Sequence, residues 1–495
     1  MKVCSLYGQG FYYIPGTETC IKFGGFLRTE WDFNSAPSFV TFFNGANAQF
    51  SRGGDQATWR ARAVLSGDIR EQTSYGTLRA YFAAGWQNSV NDNPTLSNPG
   101  TSVAATGGAA GLGNNSNVYL LRAFMQWGGL TFGRTASFYD FFSTSKYTHQ
   151  TNFLWQEMGG DGIYMWGYTQ QLGNGMAANL SVEDNTQFAH PIVDLGAAAT
   201  GLGQAAAGGP ALAAVAAPNN DPFNNAGFLV PDIVGSLRID QVWGGAQIAA
   251  VLHDNRVRYY QPPGTFAGTV PGVINGAAYP KDKWGFAISE GLELNLANVG
   301  WAKGDTFAVQ SQYCVGAVER CINNSGSRQS DLGWSLVNSG NRIGLGWVDD
   351  GFEANTAATG ATGIQLSTAW NVVAAVQHYW VPDVRTSLYG AYANYRANST
   401  VVDTRVCAPT HLAQPGVSAT GCLDWAAWQI GSRTIWNPTR NLDIGVDVVY
   451  SDLTKSAFSG GTTTFAPTGA ATNTFTVGST HVLSAIVRAQ YNFYP

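Results

Sequence analysis

The stretch CIKFGGFLRTEWDF, Cys20 to Phe33, decides the fold. Taken alternately, one set is Ile21, Phe23, Gly25, Leu27, Thr29, Trp31 and Phe33, and the other is Lys22, Gly24, Phe26, Arg28, Glu30 and Asp32. Successive side chains of a strand point to opposite faces, so one face is aliphatic and aromatic while the other carries charges of both signs. A wall with hydrocarbon on one side and water on the other asks for that pattern.

The alternation recurs along the chain. In TWRARAVLSGDIR, Ala61, Ala63, Leu65, Gly67 and Ile69 lie opposite Arg60, Arg62, Ser66, Asp68 and Arg70. GTLRAYFAAGW sets Leu78, Ala80, Phe82, Ala84 and Trp86 against Thr77, Arg79 and Tyr81. VYLLRAFMQW sets Tyr119, Leu121, Ala123, Met125 and Trp127 against Arg122 and Gln126. Near the end, Ile444, Val446 and Val448 lie opposite Asp443 and Asp447, and Leu483, Ala485, Val487, Ala489, Tyr491 and Phe493 lie opposite Ser484, Arg488, Gln490 and Asn492. Weaker strands fall near 130–134, 162–169, 176–184, 232–240, 243–254, 283–295, 304–313, 364–380, 384–395 and 424–436. The total is about 16 strands of the ~10-residue kind that crosses a bilayer when tilted.

Short turns (Gly128-Gly129, Asn174-Gly175, Gln241-Val242, Val381-Pro382-Asp383, Asn437-Pro438) alternate with long Gly-, Ala- and Asn-rich connections near 34–58, 88–117, 135–161, 185–231, 255–282, 314–363, 396–423 and 451–480. An up-and-down barrel of the outer membrane alternates in this way, with short periplasmic turns and long extracellular loops. Trp31, Trp86, Trp127, Trp284, Trp380 and Trp436 sit at strand ends, as interfacial girdles do. The reading is an all-β chain: residues 1–20 an N-terminal segment and residues 21–495 one transmembrane antiparallel β-barrel. A soluble, glycan-binding β-protein is the competing fold.

Composition agrees with the barrel. Charged residues make up 12% of the 495 residues, about half the share usual in soluble domains. Mean hydropathy is near zero, and no apolar run reaches the ~20 residues of a spanning helix. A net charge of -5 without basic runs argues against nucleic-acid partners. The cysteines form three local pairs, Cys4/Cys20, Cys314/Cys321 and Cys407/Cys422, without the tight spacing and neighbouring histidines of a metal site. Three disulfides in an oxidising compartment are expected, with six free thiols as the alternative. No leader precedes Cys4, and an exported chain of this form is expected to have lost one. No cofactor is expected; Asp349, Asp350 and Glu353 are read as solvated loop acids, with Ca²⁺ binding as the lesser alternative.

Arginine fixes which face is wet. Arg28, Arg60, Arg62, Arg79 and Arg122 fall on the polar faces of four successive strands. Each would cost roughly 2–4 kcal/mol facing lipid, so together they would cost on the order of 10–20 kcal/mol, as much as the stability of a typical domain. They are therefore expected in the lumen, stacked on one wall. The connection SFYDFFSTSKYTHQTNFLWQEMGGDG carries Asp140, Glu157 and Asp161 among many aromatics, which suits a loop folded inward with its acids facing that wall.

These residues resemble the general diffusion porins of the alphaproteobacterial outer membrane. The matching pieces are VCSLYGQGFYYIPGTETCIKFGGFLR, YGTLRAYF, FGRTASFYDFF, PDIVGSLRIDQVWGGAQIAAVLHD, KWGFAI and RTIWNPTRNLDIGVDVVY, from residue 3 to about 450 in family order. The resemblance implies a homotrimer of 16-stranded barrels in outer-membrane lipid and lipopolysaccharide, passing small hydrophilic solutes and ions passively. The inward third loop would narrow each pore, with Asp140, Glu157 and Asp161 on its side and the five arginines on the wall. Such proteins usually finish on an aromatic residue, whereas here Tyr494 and Pro495 follow Phe493, which puts insertion efficiency in question. Rival functions are a substrate-specific channel, using Tyr81, Tyr147 and Trp155 along its path, and a barrel-borne lipase. No nucleophile elbow or paired-histidine motif supports the latter.

Overall fold

The computed structural model describes the chain apart from residues 1–3, 34–56, 91–113, 143, 150–161, 187–188, 191, 195–227, 258–259, 262–273, 276–280, 323–333, 338–341, 347, 354, 357–359, 362, 408–416, 466–472 and 494–495. The first eight wall strands are β1 (Cys20–Phe33), β2 (Ala57–Thr73), β3 (Gly76–Val90), β4 (Asn114–Trp127), β5 (Leu130–Thr135), β6 (Ile163–Gly173), β7 (Met176–Asp184) and β8 (Asp232–Gln241). The second eight are β9 (Gly244–Asn255), β10 (Lys283–Asn295), β11 (Thr306–Val315), β12 (Thr368–Val381), β13 (Val384–Arg396), β14 (Trp425–Thr439), β15 (Leu442–Lys455) and β16 (Thr480–Phe493). Each pairs antiparallel with the next, and β16 closes on β1 from Gly25↔Phe493 to Phe33↔Ala485. The result is a closed barrel of 16 strands.

The two faces divide as the alternation requires. Leu27, Trp31, Leu65, Trp86, Met125, Val446, Leu483 and Val487 are exposed on the outside, while Glu30, Asp32, Arg60, Asp447, Ser484 and Arg488 are buried inside. The expected girdle tryptophans are all exposed. Trp31 and Trp59 stack at 6.0 Å toward the loop end, and Trp380 donates to Thr386 Oγ1 toward the turn end. At Asn174-Gly175 both residues have positive φ (50° and 74°), as a two-residue hairpin turn needs. Asn437-Pro438, expected to be a turn, instead lies inside β14, where the ladder slips between Trp436 and Thr439. The chain reverses two residues later, because proline cannot donate to the ladder and a bulge absorbs it.

One face assignment is overturned by another bulge. Ala83 pairs with Arg122 but Ala84 pairs with Leu120, so β4 carries one extra residue. The inserted residue reverses the alternation above it. Val118 and Leu120 therefore face outward, and Tyr119, expected outside, turns inward with Arg62 stacked 4.9 Å from its ring centre.

The N-terminal segment is built into the turn end of the wall. Tyr12 and Tyr13 pair with Ile21 and Cys20, below the point where β16 stops. The Cys4–Cys20 disulfide (S–S 1.96 Å) packs with Phe11, and the Arg70 guanidinium lies 5.0 Å from the Phe11 ring centre. Crosslinking residues 16 apart contributes about 3 kcal/mol in the chain-entropy argument. Cys4→Ser with Cys20→Ser is expected to lower the temperature at which the folded band converts on a denaturing gel. An unchanged conversion temperature would mean that the clip leaves stability unaffected.

The long loops do more than stand in solvent. Val193, Ala317, Val318, Ile322, Val348, Phe352, Val401, Val402, Leu423, Ala457 and Phe458 join wall residues Val234, Ala249, Ala287, Ala369, Ala393 and Trp425 in one buried cluster. Disulfides Cys314–Cys321 and Cys407–Cys422 belong to it (S–S 1.92 and 2.05 Å). Asp349, Asp350 and Glu353, expected to be solvated, are at most 1% exposed. They are buried because the loop that carries them folds back against the inner wall with this apolar cluster.

Candidate functional site

The third long connection leaves β5 and turns into the barrel. Its described part, residues 136–142 and 144–149, meets one strand after another around the ring. Ser137 Oγ donates to Glu183 Oε2 on β7 at 2.7 Å, and Phe138 N donates to Glu183 Oε1 at 3.1 Å. Gln247 Nε2 on β9 donates to the carbonyls of Phe138, Tyr139 and Asp140 at 3.2–3.3 Å. Arg238 Nη1 on β8 donates to the Phe141 carbonyl at 3.2 Å. A side chain at Gly291 on β10 would meet the Phe141 ring at 2.3 Å, so that glycine makes room for the loop. Phe141, Phe142 and Tyr147 pack with Ala308, Val373, Ala375, Tyr389 and Val449 in a second apolar cluster. The loop's aromatic residues hold it against the inner wall.

The far end of the described loop is clamped by charge. Lys146 Nζ lies 2.6 Å from Glu293 Oε1, and the Tyr147 hydroxyl donates to Glu293 Oε2 at 3.0 Å. Asp447 on β15 accepts from Thr148 Oγ1 at 2.6 Å, from His149 N at 2.5 Å and from the Tyr389 hydroxyl at 2.6 Å. Arg433 on β14 donates to the carbonyls of Ser145 and Lys146. Arg488 on β16 donates to His149 Nδ1 at 3.0 Å and to the His149 carbonyl at 2.9 Å. Burial, with Arg488 and Arg433 beside it, drives the His149 imidazole well below its ordinary pKa, which suits a neutral ring accepting from Arg488. A side chain at Gly445 would meet His149 Nε2 at 2.6 Å.

The predicted arginines separate into groups. Arg28 and Arg62 are cross-strand partners, as are Glu30 and Arg60. Glu30 is the shared anion: Arg60 Nη2 is 2.9 Å away, Arg488 Nε 2.6 Å and Arg28 Nη1 3.6 Å. Arg60 is only 2% exposed and turns to Glu30 rather than to open lumen. Arg62 donates to Gln87 Oε1 at 2.9 Å, and among the described residues it has no carboxylate in ion-pair contact. Arg79 stands apart, near the turn end, where it shares Asp68 with Arg70 at 3.0 and 2.8 Å. Arg122 lies against the Leu121 carbonyl at 2.7 Å. Asp140 is held through its carbonyl to β9, across the ring from β1–β4. Glu157 and Asp161 lie outside the described residues, as does Trp155. Tyr147, considered as part of a solute path, is fully buried in the loop–wall contact.

Glu30, Asp447, Arg433 and Arg488 were missed as site residues. Each stood on the polar face of its strand, and that was the one available signal. Their partners lie far away in sequence, 339 residues in the case of Arg488 and His149.

Residues 1–479 match a family model described as "Porin subfamily". A Sinorhizobium fredii chain assigned as outer membrane protein y4fJ is 31% identical over 140 residues, 28% of this chain and 34% of that one. Porin Omp2b of Brucella canis is 27% identical over 192 residues, 37% of this chain and 44% of the other. The matched stretches thus span less than half the length of these curated relatives. Among solved structures, the outer membrane channel DcaP of Acinetobacter baumannii superposes with a TM-score of 0.50 at 12% identity, covering 97% of this chain and 99% of that one, which supports the fold alone.

Proposed function

The chain belongs to the porin subfamily whose model spans it, and from that premise we propose that it forms a water-filled channel for passive diffusion of small hydrophilic solutes and ions. The observation that carries this reading is the third loop clamped inside a closed ring, narrowing the lumen opposite the arginines of β1–β4. Membership of this family makes the chain an outer-membrane barrel and supports a channel rather than an enzyme. Passage by diffusion needs no cofactor. The exposed apolar exterior suits a homotrimer in outer-membrane lipid with lipopolysaccharide around its rim.

Within the constriction, Arg62 would supply a half-buried positive charge on the wall, with Arg28 and Arg122 beside the path. We assign Asp140 to the loop side of the constriction; Glu157 and Asp161 lie outside the described residues. Arg60 acts one step back, by sharing Glu30 with Arg28. Arg62→Ala is expected to shift the reversal potential in a salt gradient toward cations while the barrel still folds. An unchanged reversal potential would take Arg62 out of the ion path.

A further inference from the structure

Where the loop ends of β7, β8 and β9 meet loop residues Asn185, His190, Val318–Arg320 and Asp350, a set of ionisable side chains is enclosed. Arg320, on a short 3₁₀ turn at Val318–Arg320, is fully buried; its Nη2 lies 2.6 Å from Asp232 Oδ2 and its Nη1 3.1 Å from Glu183 Oε2. His253 Nδ1 lies 2.6 Å from Asp232 Oδ1. Those contacts satisfy Glu183 and Asp232.

Glu319 is different. Its Oε1 accepts from Asn185 Nδ2 at 2.7 Å, but its Oε2, in a fully buried side chain, has no donor. The group within hydrogen-bonding reach is another carboxyl, Asp350, whose two oxygens already accept from Val318 N at 2.6 Å and His190 N at 3.1 Å. His190 offers a second open position: its Nε2 lies 3.1 Å from the Ile322 carbonyl, and its buried Nδ1 has no partner. Four carboxyls (Glu183, Asp232, Glu319, Asp350) share one guanidinium and the His253 imidazole, so full ionisation leaves a negative excess without water to screen it.

One ligand atom each of Asp232, His253 and Glu319 lies within 4.8 Å of the other two. We propose that these three residues form a structural site for a first-row divalent cation of the Zn²⁺ class, with Asp350 adjoining. Mixed imidazole and carboxylate donors favour such a metal over Mg²⁺ or Ca²⁺. The cation would take one ligand atom from each of the three residues, and no redox step is involved. The bound ion would tie β8 and β9 to the 3₁₀ turn enclosed by the Cys314–Cys321 disulfide. It would thereby pin the turn at Val318–Arg320 inside the barrel.

The test uses the untagged full chain, refolded in detergent and stripped with chelator. Zn²⁺ titration by calorimetry should give one ion per chain, and excess Ca²⁺ should not compete. Glu319→Gln and His253→Gln should each weaken binding by about tenfold or more. Absence of binding to the wild-type barrel would overturn the proposal, as would equal binding by both variants. Should a variant fail to fold, Co²⁺ absorption of the wild-type barrel decides instead. Visible bands of a nitrogen–oxygen site support the proposal, and the spectrum of hydrated Co²⁺ overturns it.

Discussion

Replacing Asp447 by alanine is expected to release the third loop and raise single-channel conductance, with larger current noise. Asp447 is fully buried on β15 and is the common acceptor for Thr148, His149 and Tyr389. Hydrogen bonds to a charged group are worth about 1.5–3 kcal/mol each. Losing three, with their donors left buried, removes on the order of 4 kcal/mol or more from the clamped state. That shifts the ratio of clamped to released loop by roughly three orders of magnitude. Arg433 and Arg488 still hold the backbone of Ser145, Lys146 and His149, so the loop stays in the lumen but samples wider positions. Single-channel recordings of Asp447→Ala beside wild type decide the matter. Steps of wild-type size and noise would mean that Asp447 does not hold the constriction.

The second large effect is expected at Glu30. Three guanidiniums, Arg28, Arg60 and Arg488, converge on this one buried carboxylate. Arg60 approaches one oxygen of it, Oε2, with both Nε (3.0 Å) and Nη2 (2.9 Å). Removing one partner of such a buried pair costs about 3–5 kcal/mol, because the remaining charges are left uncompensated. Glu30→Gln should therefore lower the conversion temperature of the folded barrel on denaturing gels. It should also move the reversal potential toward anions, since the arginines keep their charge. Adding Arg60→Gln should restore part of the stability, a coupling that independent sites would not show. Equal stability of Glu30→Gln and wild type would contradict this assignment.

The wall was legible because its physical demand is local. A strand between lipid and water must alternate, and that pattern placed 176–184 and 283–295 at the bounds observed for β7 and β10. The cysteine pairs were legible because each closes a short stretch of chain. Tyr119 was misread because the bulge at β4 inserts one residue into VYLLRAF without any glycine or proline to announce it. The clamps on the third loop were hidden for another reason. His149 and Arg488, or Ser137 and Glu183, meet only after the ring has closed, and no periodicity records such a meeting. Asp350 looked solvated because it sits in a polar loop, yet the apolar neighbours Val348 and Phe352 were a sign that this loop packs. The arginine ladder was correctly turned inward by the cost of lipid exposure. Its division between Glu30 and Asp68 depended on cross-strand register.

Conductance of the purified, folded chain in a planar lipid bilayer tests the central claim, that a closed ring with a clamped inner loop leaves a continuous water path. Discrete upward current steps that scale with salt concentration are expected. A barrel that inserts, keeps its β-sheet spectrum and yet passes no stepwise current would contradict it.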